Sequence, residues 1–406
     1  MGRSRLHGPG ALSACDARGS DLSAAFQTES TIPLRRATVS DVYWSPGARK
    51  WRGTPSPDVR AFHASLPGYA PTHLKEAPDL AQELGVRRVF VKEESERFGL
   101  PAFKILGASF AIARALSQRL GFEQTQDFDT LRIRLAASGP IVIMTATDGN
   151  HGRAVATVAS MLGLPSKVWF PSDITTTAKR GIVEAGAEPV ELAAEHSELV
   201  RLAAEAAEAL GERALLVQDT AWPGYERVPG WIVDGYSTMF RELDGQLLDA
   251  GVERLDLVSV PTGVGSLTHA AVRHARAPGS ILGHPVALSV EPETASVVKV
   301  SLQAGTPTAI HTSPTIMTGL NCGAVSTSAW PSLQDGLDAA VAVGDEDARA
   351  AVTDLHALGV DAGPSGAASL AGVRKLLQHP PARAELGRDA VLVLLSTEGQ
   401  AANPLG

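Results

Sequence analysis

The chain has 406 residues, a formal net charge of -8, 44% hydrophobic residues and 20% charged residues. This length suffices for two domains with sizeable cores, and the acidic balance without a basic stripe argues against a nucleic-acid partner. The two cysteines, Cys15 and Cys322, lie far apart in sequence, so we expect neither a disulfide framework nor a metal site. The sparse use of cysteine fits a reducing compartment, so we expect a cytoplasmic protein. No apolar run approaches the length of a membrane span, and we therefore expect no membrane partner.

The N-terminal part of the chain shows few signals of regular structure. Residues 1–30 are rich in Gly, Ser and Arg without the apolar segment of a secretion signal, which predicts a disordered extension. Prolines and tryptophans between 32 and 71 predict an irregular arm. A short helix over 79–84, with Asp79 as its N-cap, and a strand over 86–91 follow.

Beyond residue 140 the chain alternates between short apolar strands and alanine-rich helices such as 154–162 and 195–210. The predicted strands are 141–144, 167–170, 189–192, 214–217, 257–260, 286–290, 340–343 and 391–394. This alternation is typical of open, mostly parallel α/β sheets, in which ligands bind at the carboxyl ends of the strands. We predict two α/β domains, a small one of residues 140–225 and a large one of residues 31–139 and 226–406.

Lys104 lies where an extended segment gives way to a helix-like run over 105–120, with apolar residues on both sides. An apolar setting lowers the pKa of a lysine toward the neutral amine, which Schiff-base chemistry with an aldehyde requires. The sequence around Lys104 leaves one alternative open, a surface lysine that extends from the first turn of the helix.

Three predicted strands end in unusual loops, 145–152, 218–225 and 261–267. The third loop suits a phosphate, because glycines let backbone N–H groups approach an anion and a helix N-terminus adds a favourable dipole. A helix is expected to start near Thr268. The loop matches neither the Gly-x-x-x-x-Gly-Lys-Ser pattern of P-loop enzymes nor the complete Gly-x-Gly-x-x-Gly pattern of dinucleotide-binding folds, so both classes are disfavoured.

Several segments together resemble the β-family, or fold type II, of pyridoxal-phosphate enzymes, and more narrowly the diaminopropionate ammonia-lyases. In chain order the matching segments are 62–63, 67–71, 97–104, 146–153, 219–222, 316–320 and 396–399. The resemblance extends from about Pro33 to the C-terminus and departs from the family at His73, where a proline is expected. It implies two open, mostly parallel α/β domains like those of the tryptophan synthase β-subunit, with the cofactor in the cleft between them.

Residue by residue, the resemblance implies that Lys104 binds pyridoxal 5'-phosphate covalently and that Phe103 packs against the pyridine ring. Asn150 would hydrogen-bond the phenolic oxygen of that ring. A neutral hydroxyl, of either Ser396 or Thr397, would face the pyridine nitrogen, and the sequence leaves both open. The phosphate would be held by the loop residues Gly263, Val264, Gly265 and Ser266.

Asp148 and Asp219 are the predicted catalytic carboxylates. Each has a structural alternative, because Asp-Gly is a common turn, an aspartate before a helix is a good N-cap, and Asp-Thr can cap a strand end. The dehydratases that share the motif carry a neutral residue near Asp148, and an aspartate in a buried pocket is costly unless a cation meets it. A substrate with a β-ammonium group would be that cation. His151 is expected to be a packing residue without a role in proton transfer.

The resemblance implies an α,β-elimination that converts 2,3-diaminopropionate to pyruvate and two ammonia through an aminoacrylate intermediate. Lys104 and Asp148 on opposite faces of the substrate would let both enantiomers react. The family pattern also suggests a homodimer, with a small amino acid as its other partner. Two alternatives remain, a serine or threonine dehydratase and a pyridoxal-phosphate-binding protein without turnover.

Overall fold

The computed structural model describes residues 41–147 and 149–405, which form two β-sheets surrounded by helices. The predicted α/β class is confirmed. The predicted disordered extension, residues 1–30, and the predicted catalytic residue Asp148 lie outside the described residues. In the described part of the chain, no helix is both long enough and apolar enough to cross a membrane.

Eleven strands occur within the described residues. They are β1 (Val42–Trp44), β2 (Leu74–Glu76), β3 (Arg88–Glu93), β4 (Val142–Ala146), β5 (Ser166–Pro171), β6 (Ala187–Leu192), β7 (Ala214–Leu216), β8 (Leu257–Pro261), β9 (Val286–Pro292), β10 (Ala339–Val343) and β11 (Val391–Ser396). Each strand predicted from the sequence is confirmed, with ends that shift by up to two residues.

The helices of the described part are, in chain order, α1 (Arg60–Ala64), α2 (Pro78–Leu84), α3 (Ile105–Arg119), α4 (Phe128–Ala136), α5 (Asn150–Met161), α6 (Thr176–Glu184), α7 (His196–Leu210), α8 (Arg227–Asp249), α9 (Ser266–Ala275), α10 (Val297–Ala304), α11 (Trp330–Gly336), α12 (Asp345–Ala357), α13 (Pro364–Leu377) and α14 (Pro380–Leu386). Short 3-10 helices occur at Pro46–Lys50, Gly211–Arg213, Glu293–Ala295 and Thr318–Leu320.

The larger sheet has the strand order β1-β10-β9-β8-β11-β3-β2 among the described residues, and the smaller sheet has the order β6-β5-β4-β7. All neighbours in the smaller sheet are parallel. In the larger sheet only the two edge strands, β1 and β2, pair antiparallel. Strands buried on both faces read as continuous apolar runs. The interior strand β11 starts with five apolar residues, and all six of its residues are buried.

Two predictions in the N-terminal region are wrong in detail. The arm over 32–71 was expected to be irregular, but its described part contains β1, a 3-10 helix and α1. A three-residue strand such as β1 is too short to show a periodic pattern, and its pairing with β10 defines it,. Asp79 is not an N-cap, because α2 begins at Pro78 with Ala77 at the cap position. Proline suits the first helical position, since its fixed φ matches the helix and its missing N–H is not needed there.

Helices α3 and α8 approach each other closely just after Lys104. A Cβ atom at Gly235 of α8 would lie 2.4 Å from the backbone oxygen of Leu106, and one at Gly107 would lie 2.6 Å from the side chain of Ile232. Both glycines are therefore required by the contact between the two helices. Because α3 starts directly after Lys104, this contact also fixes where the lysine stands relative to α8.

We expect Gly235→Ala to lower the free energy of unfolding by about 1–3 kcal/mol, because the added methyl group must push α3 and α8 apart. Chemical denaturation of the purified variant measures this change. The matched control is Gly245→Ala on the same helix, where a Cβ atom meets nothing within 4 Å. Alanine there should raise the stability by about 0.5–1 kcal/mol through its higher helix propensity. Equal effects of the two substitutions would contradict the close packing of the helices.

Candidate active site

The polar residues that follow the strand ends of both sheets meet in one place. The segment after β3 carries Lys104, the segment after β7 carries Asp219, and the start of α5, which follows β4, carries Asn150. Direct hydrogen bonds join these residues to each other or to the segment after β11. This arrangement agrees with the rule that ligands of open α/β sheets gather at the carboxyl ends of strands.

Lys104 forms an ion pair with Asp219. Its Nζ donates a hydrogen bond to Asp219 Oδ2 at 2.6 Å, and the two side chains are 22% and 13% exposed. Burial has the largest single effect and disfavours the charged form of the lysine, but the charge and hydrogen bond of Asp219 together with the neighbouring Tyr236 outweigh it and raise the pKa of Lys104 above its ordinary value. The expectation of a lowered lysine pKa is therefore wrong, because the sequence shows the apolar neighbours but not the carboxylate that lies 115 residues away.

The carboxylate of Asp219 is held in its ionised form by the same contact. Burial alone would raise its pKa, whereas the charge of Lys104 lowers it well below the ordinary value. Its backbone carbonyl accepts a hydrogen bond from Ser266 Oγ at 2.8 Å. The position of Asp219 is thus tied to the loop that starts α9.

Gln218, the residue before Asp219, connects the ends of two strands of the smaller sheet. Gln218 is fully buried, and its side-chain amide pairs with the backbone of Ala146. Its Oε1 accepts from the Ala146 N–H at 3.1 Å, and its Nε2 donates to the Ala146 carbonyl at 3.0 Å. This pairing extends the contact between β4 and β7 past the last residue of β7. Sequence reasoning did not identify Gln218.

The backbone around Lys104 is docked on the segment after β11. The N–H of Phe103 donates to the carbonyl of Thr397 at 3.3 Å, and the N–H of Gly399 donates to the carbonyl of Pro101 at 3.0 Å. The ring of Phe103 lies against the ring of Tyr236, with centroids 4.9 Å apart. These contacts hold the lysine backbone from two sides.

A buried ionic network anchors the chain just before Lys104. The guanidinium of Arg97 is fully buried and binds the carboxylates of Glu94 and Glu242, with contacts of 2.7 Å to each. Lys92 Nζ binds Glu242 Oε2 at 3.0 Å, the same oxygen that Arg97 contacts. Since Glu242 belongs to α8, the network joins the end of β3 to that helix. Removing one member of a buried pair leaves an uncompensated charge, which costs about 3–5 kcal/mol.

The predicted phosphate loop has the bare backbone that an anion needs. Gly265 adopts a φ of 98°, and a Cβ atom at Gly263 would lie 3.0 Å from Cys322 Sγ. The ten-residue helix α9 starts at Ser266, two residues earlier than expected. Its N-terminus places a partial positive charge beside the loop formed by residues 263–266.

Asn150 contacts a residue that sequence reasoning missed. Its Nδ2 donates to Glu398 Oε2 at 2.7 Å, and the backbone N–H of Ser365 donates to Glu398 Oε1 at 3.3 Å. Burial raises the pKa of Glu398, while the hydrogen bonds from Ser365 and Asn150 oppose the rise. Glu398 lies inside the matching segment 396–399, so its place in that motif was the available signal.

Of the two predicted hydroxyls, Ser396 has surroundings that suit a ligand atom. Ser396 Oγ is fully buried and has no hydrogen-bond partner among the described residues. A Cβ atom at Gly366 would lie 3.0 Å from this oxygen, so the glycine leaves room beside it. A buried hydroxyl without a partner is unusual in a folded protein and suits a ligand atom such as a ring nitrogen. The residues present thus fit a pyridine ring with a phosphate group.

Within the described part of the chain, no group of three or more His, Cys, Asp or Glu side chains is arranged to hold a metal ion. The predicted base Asp148 lies outside the described residues, so its placement stays a prediction.

Comparison with known proteins identifies the family of this chain. The family described as "Pyridoxal-phosphate dependent enzyme" matches residues 66–397. Diaminopropionate ammonia-lyase of Escherichia coli K12 is 32% identical over 362 residues, which cover 84% of this chain and 87% of the relative. The Salmonella typhimurium LT2 enzyme is 33% identical over 374 residues, with 84% and 88% covered. The Escherichia coli enzyme in complex with D-serine has a TM-score of 0.78 at 29% identity, with 89% and 94% covered. The chain therefore belongs to the pyridoxal-phosphate-dependent enzymes, and within them to the diaminopropionate ammonia-lyases.

Proposed function

We propose that this chain catalyses the α,β-elimination of 2,3-diaminopropionate to pyruvate and two molecules of ammonia. The observation that carries the proposal is the ion pair between Lys104 and Asp219, which places a reactive amine beside a carboxylate where the two sheets meet. Pyridoxal phosphate, when bound, supplies the electron sink that lets the α-proton of an amino acid leave. The chain itself has to hold that group, orient the substrate and move protons.

We propose that five parts of the chain hold the cofactor. The amine of Lys104 binds its aldehyde carbon, and Phe103 packs near its ring. Asn150 hydrogen-bonds the phenolic oxygen, since its own hydrogen bond to Glu398 already orients the amide of Asn150. The hydroxyl of Ser396 hydrogen-bonds the pyridine nitrogen, because of the two candidate hydroxyls after β11 it is the one that is buried without a partner among the described residues, and Thr397 is the alternative. The phosphate is assigned to Gly263, Val264, Gly265 and Ser266.

The carboxylates account for the choice of substrate. Asp219 is largely buried and ionised, and such a charge needs a cation beside it,. Lys104 is that cation in this structure, but it no longer provides an ammonium group once its nitrogen has reacted with an aldehyde. A substrate that carries a β-ammonium group then supplies the missing charge, whereas serine and threonine do not. We propose that Asp148 serves the same purpose and also accepts the α-proton of one enantiomer, with Lys104 acting on the other.

We further propose a cytoplasmic homodimer in which each chain has two domains. The small domain spans residues 140–225, and the large domain spans residues 31–139 and 226–406. The position of the four-stranded sheet, β4 to β7, supports the boundaries of the small domain. The homodimer rests on the resemblance to the family, and the cytoplasmic location rests on the sparse use of cysteine,.

Purified protein with bound cofactor should release pyruvate from 2,3-diaminopropionate much faster than from serine or threonine. The measurement is a coupled assay of pyruvate with each amino acid, including both enantiomers. Asp148→Asn keeps the size of the side chain and removes its charge and basicity. This variant should lose about 10- to 100-fold of its activity on diaminopropionate, because a net attraction of roughly 1–3 kcal/mol to the β-ammonium disappears.

The losses caused by Asp148→Asn should be unequal, with one enantiomer affected more and any activity on serine reduced less. Equal losses on diaminopropionate and serine, with cofactor binding unchanged, would contradict charge selection by Asp148. Faster release of pyruvate from serine or threonine by the parent protein would establish a dehydratase. No turnover of any amino acid would establish a binding protein.

Lys104 should be the residue that reacts with the cofactor. Borohydride treatment of the loaded protein followed by peptide mass analysis should find the label on the peptide that contains Lys104, and Lys104→Ala should abolish it. Lys179→Ala is the control, because Lys179 on α6 forms an ion pair with Glu191 of β6 and not with Asp219. An unmodified Lys104 peptide after trapping of the parent protein would disprove the assignment.

Gly263→Asp should weaken cofactor binding by at least about tenfold, because it places a like charge and a side chain where the phosphate needs bare N–H groups. Titration of the cofactor-free protein with pyridoxal phosphate, followed by absorbance, measures the affinity. Gly139→Asp is the control, since a Cβ atom at this exposed glycine meets nothing within 4 Å. Unchanged affinity in a folded Gly263→Asp variant would place the phosphate elsewhere.

A further inference from the structure

His151, the second residue of α5, lies beside the Lys104–Asp219 pair with a defined tautomer. The residue is 4% exposed, and its Nε2 lies 2.8 Å from the carbonyl oxygen of Val217. A carbonyl oxygen only accepts hydrogen bonds, so Nε2 must carry the hydrogen. In the neutral ring, Nδ1 is therefore the nitrogen with the free lone pair.

The other ring nitrogen is buried and faces a charge. Nδ1 of His151 has no hydrogen-bond partner among the residues that the structure describes. It lies 4.0 Å from Asp219 Oδ2, the same oxygen that binds Lys104 Nζ at 2.6 Å. A buried polar atom without a partner is costly and calls for a functional explanation. A proton on Nδ1 would turn this contact into a second ion pair with Asp219.

The charges around the ring decide whether it holds that proton. Burial has the largest effect and lowers the pKa of His151, while the carboxylate of Asp219 raises it. The ammonium of Lys104 and, to a smaller extent, His196 at the start of α7 lower it further. The net result is a pKa below the ordinary value, so His151 is neutral near pH 7 as long as Lys104 stays charged beside Asp219.

We propose that His151 is a positioning residue that takes up one proton on Nδ1 whenever no other cation lies against Asp219. Its imidazolium then replaces the ammonium of Lys104 as the ionic partner of the carboxylate. The proton comes from solvent, an N–H bond forms at Nδ1, and no other covalent bond of the ring changes. When a cation returns to Asp219, repulsion expels the proton to solvent.

This exchange would keep Asp219 ionised and oriented through the reaction, and in that respect the inference rests on the proposed function. While the nitrogen of Lys104 is bound to the cofactor, His151 holds the charge. The β-ammonium of an arriving substrate displaces that proton, as the ammonium of Lys104 does in this structure. After ammonia has left, the ring takes up a proton again unless the amine of Lys104 has itself become protonated beside Asp219. Asp219 is therefore never left as a buried carboxylate without a cation, a state that would be costly.

The test is the pKa of His151 in the full chain, measured by NMR on protein with ring-labelled histidine. Its signal is identified by its loss in His151→Gln. Lys104→Met removes the ammonium and keeps an unbranched side chain, so the pKa of His151 should rise by about one to three units. Lys104→Ala should show the same rise and guards against an effect of the methionine itself. The rise should be lost in Lys104→Met combined with Asp219→Asn, because the carboxylate that stabilises the imidazolium is gone.

His269 on α9 provides an internal reference. Burial lowers its pKa to about 4, and the charge that acts on it is Arg273, so it should not respond to Lys104→Met. An unchanged pKa of His151 in both Lys104 variants, or an equal rise with and without the carboxylate of Asp219, would overturn the proposal. These variants lack the reactive amine, so the result does not depend on turnover. Failure of the proposed function would appear separately, as the absence of pyruvate release by the parent protein.

Discussion

The structure of the site depends on one ion pair between elements of the two sheets, the contact of Lys104 with Asp219. Two unit charges 2.6 Å apart at an effective dielectric constant near 20 interact by about 6 kcal/mol,. Desolvation offsets much of this energy because both side chains are mostly buried. What the pair supplies is position and charge state. It holds the amine as an ammonium and the carboxylate in its ionised form.

Each partner of this pair is held by its own part of the fold. The ionic network of Arg97 and the close contact of α3 with α8 through Gly235 fix the chain on either side of Lys104. Asp219 is fixed by its neighbour Gln218, which joins the ends of β4 and β7, and by Ser266 at the start of α9. The supports of the amine and of the carboxylate are thus separate, and substitutions in one set should leave the other in place.

The charges in this site are arranged so that one cation can replace another. Lys104 pairs with Asp219 Oδ2 in this structure. Nδ1 of His151 lies 4.0 Å from the same oxygen and has no hydrogen-bond partner among the described residues. In the proposed function, a substrate with a β-ammonium group supplies the charge that Lys104 gives up on reacting with an aldehyde, and a substrate that loses hydroxide does not need such a carboxylate. Under this proposal, the buried charge connects the choice of substrate to the reactivity of the lysine.

The sequence by itself determined the features that depend on local patterns. Short apolar runs separated by alanine-rich helices predicted the parallel strands, since burial on both faces requires such runs,. The segments around Lys104, Asn150 and Gly263 indicated the family because their order and chemistry are specific together. The edge strands β1 and β2 were not predicted, because their antiparallel pairing with the neighbouring strands defines them.

The tertiary structure alone decided the features that depend on residues far apart in the chain. It set the sign of the pKa shift of Lys104, since Asp219, 115 residues away in sequence, and Tyr236 together outweigh the lowering effect of burial that the local sequence suggested. It joined Asn150 to Glu398 across 248 residues, and it left the hydroxyl of Ser396 without a partner among the described residues. Hydrogen bonds and charge effects act over a few ångströms in space, whereas a sequence pattern records only neighbours along the chain. The sequence therefore indicated candidate site residues such as Lys104 and Asn150 but not Gln218 or Glu398, and the electrostatics of the site became clear only when the fold brought these residues together.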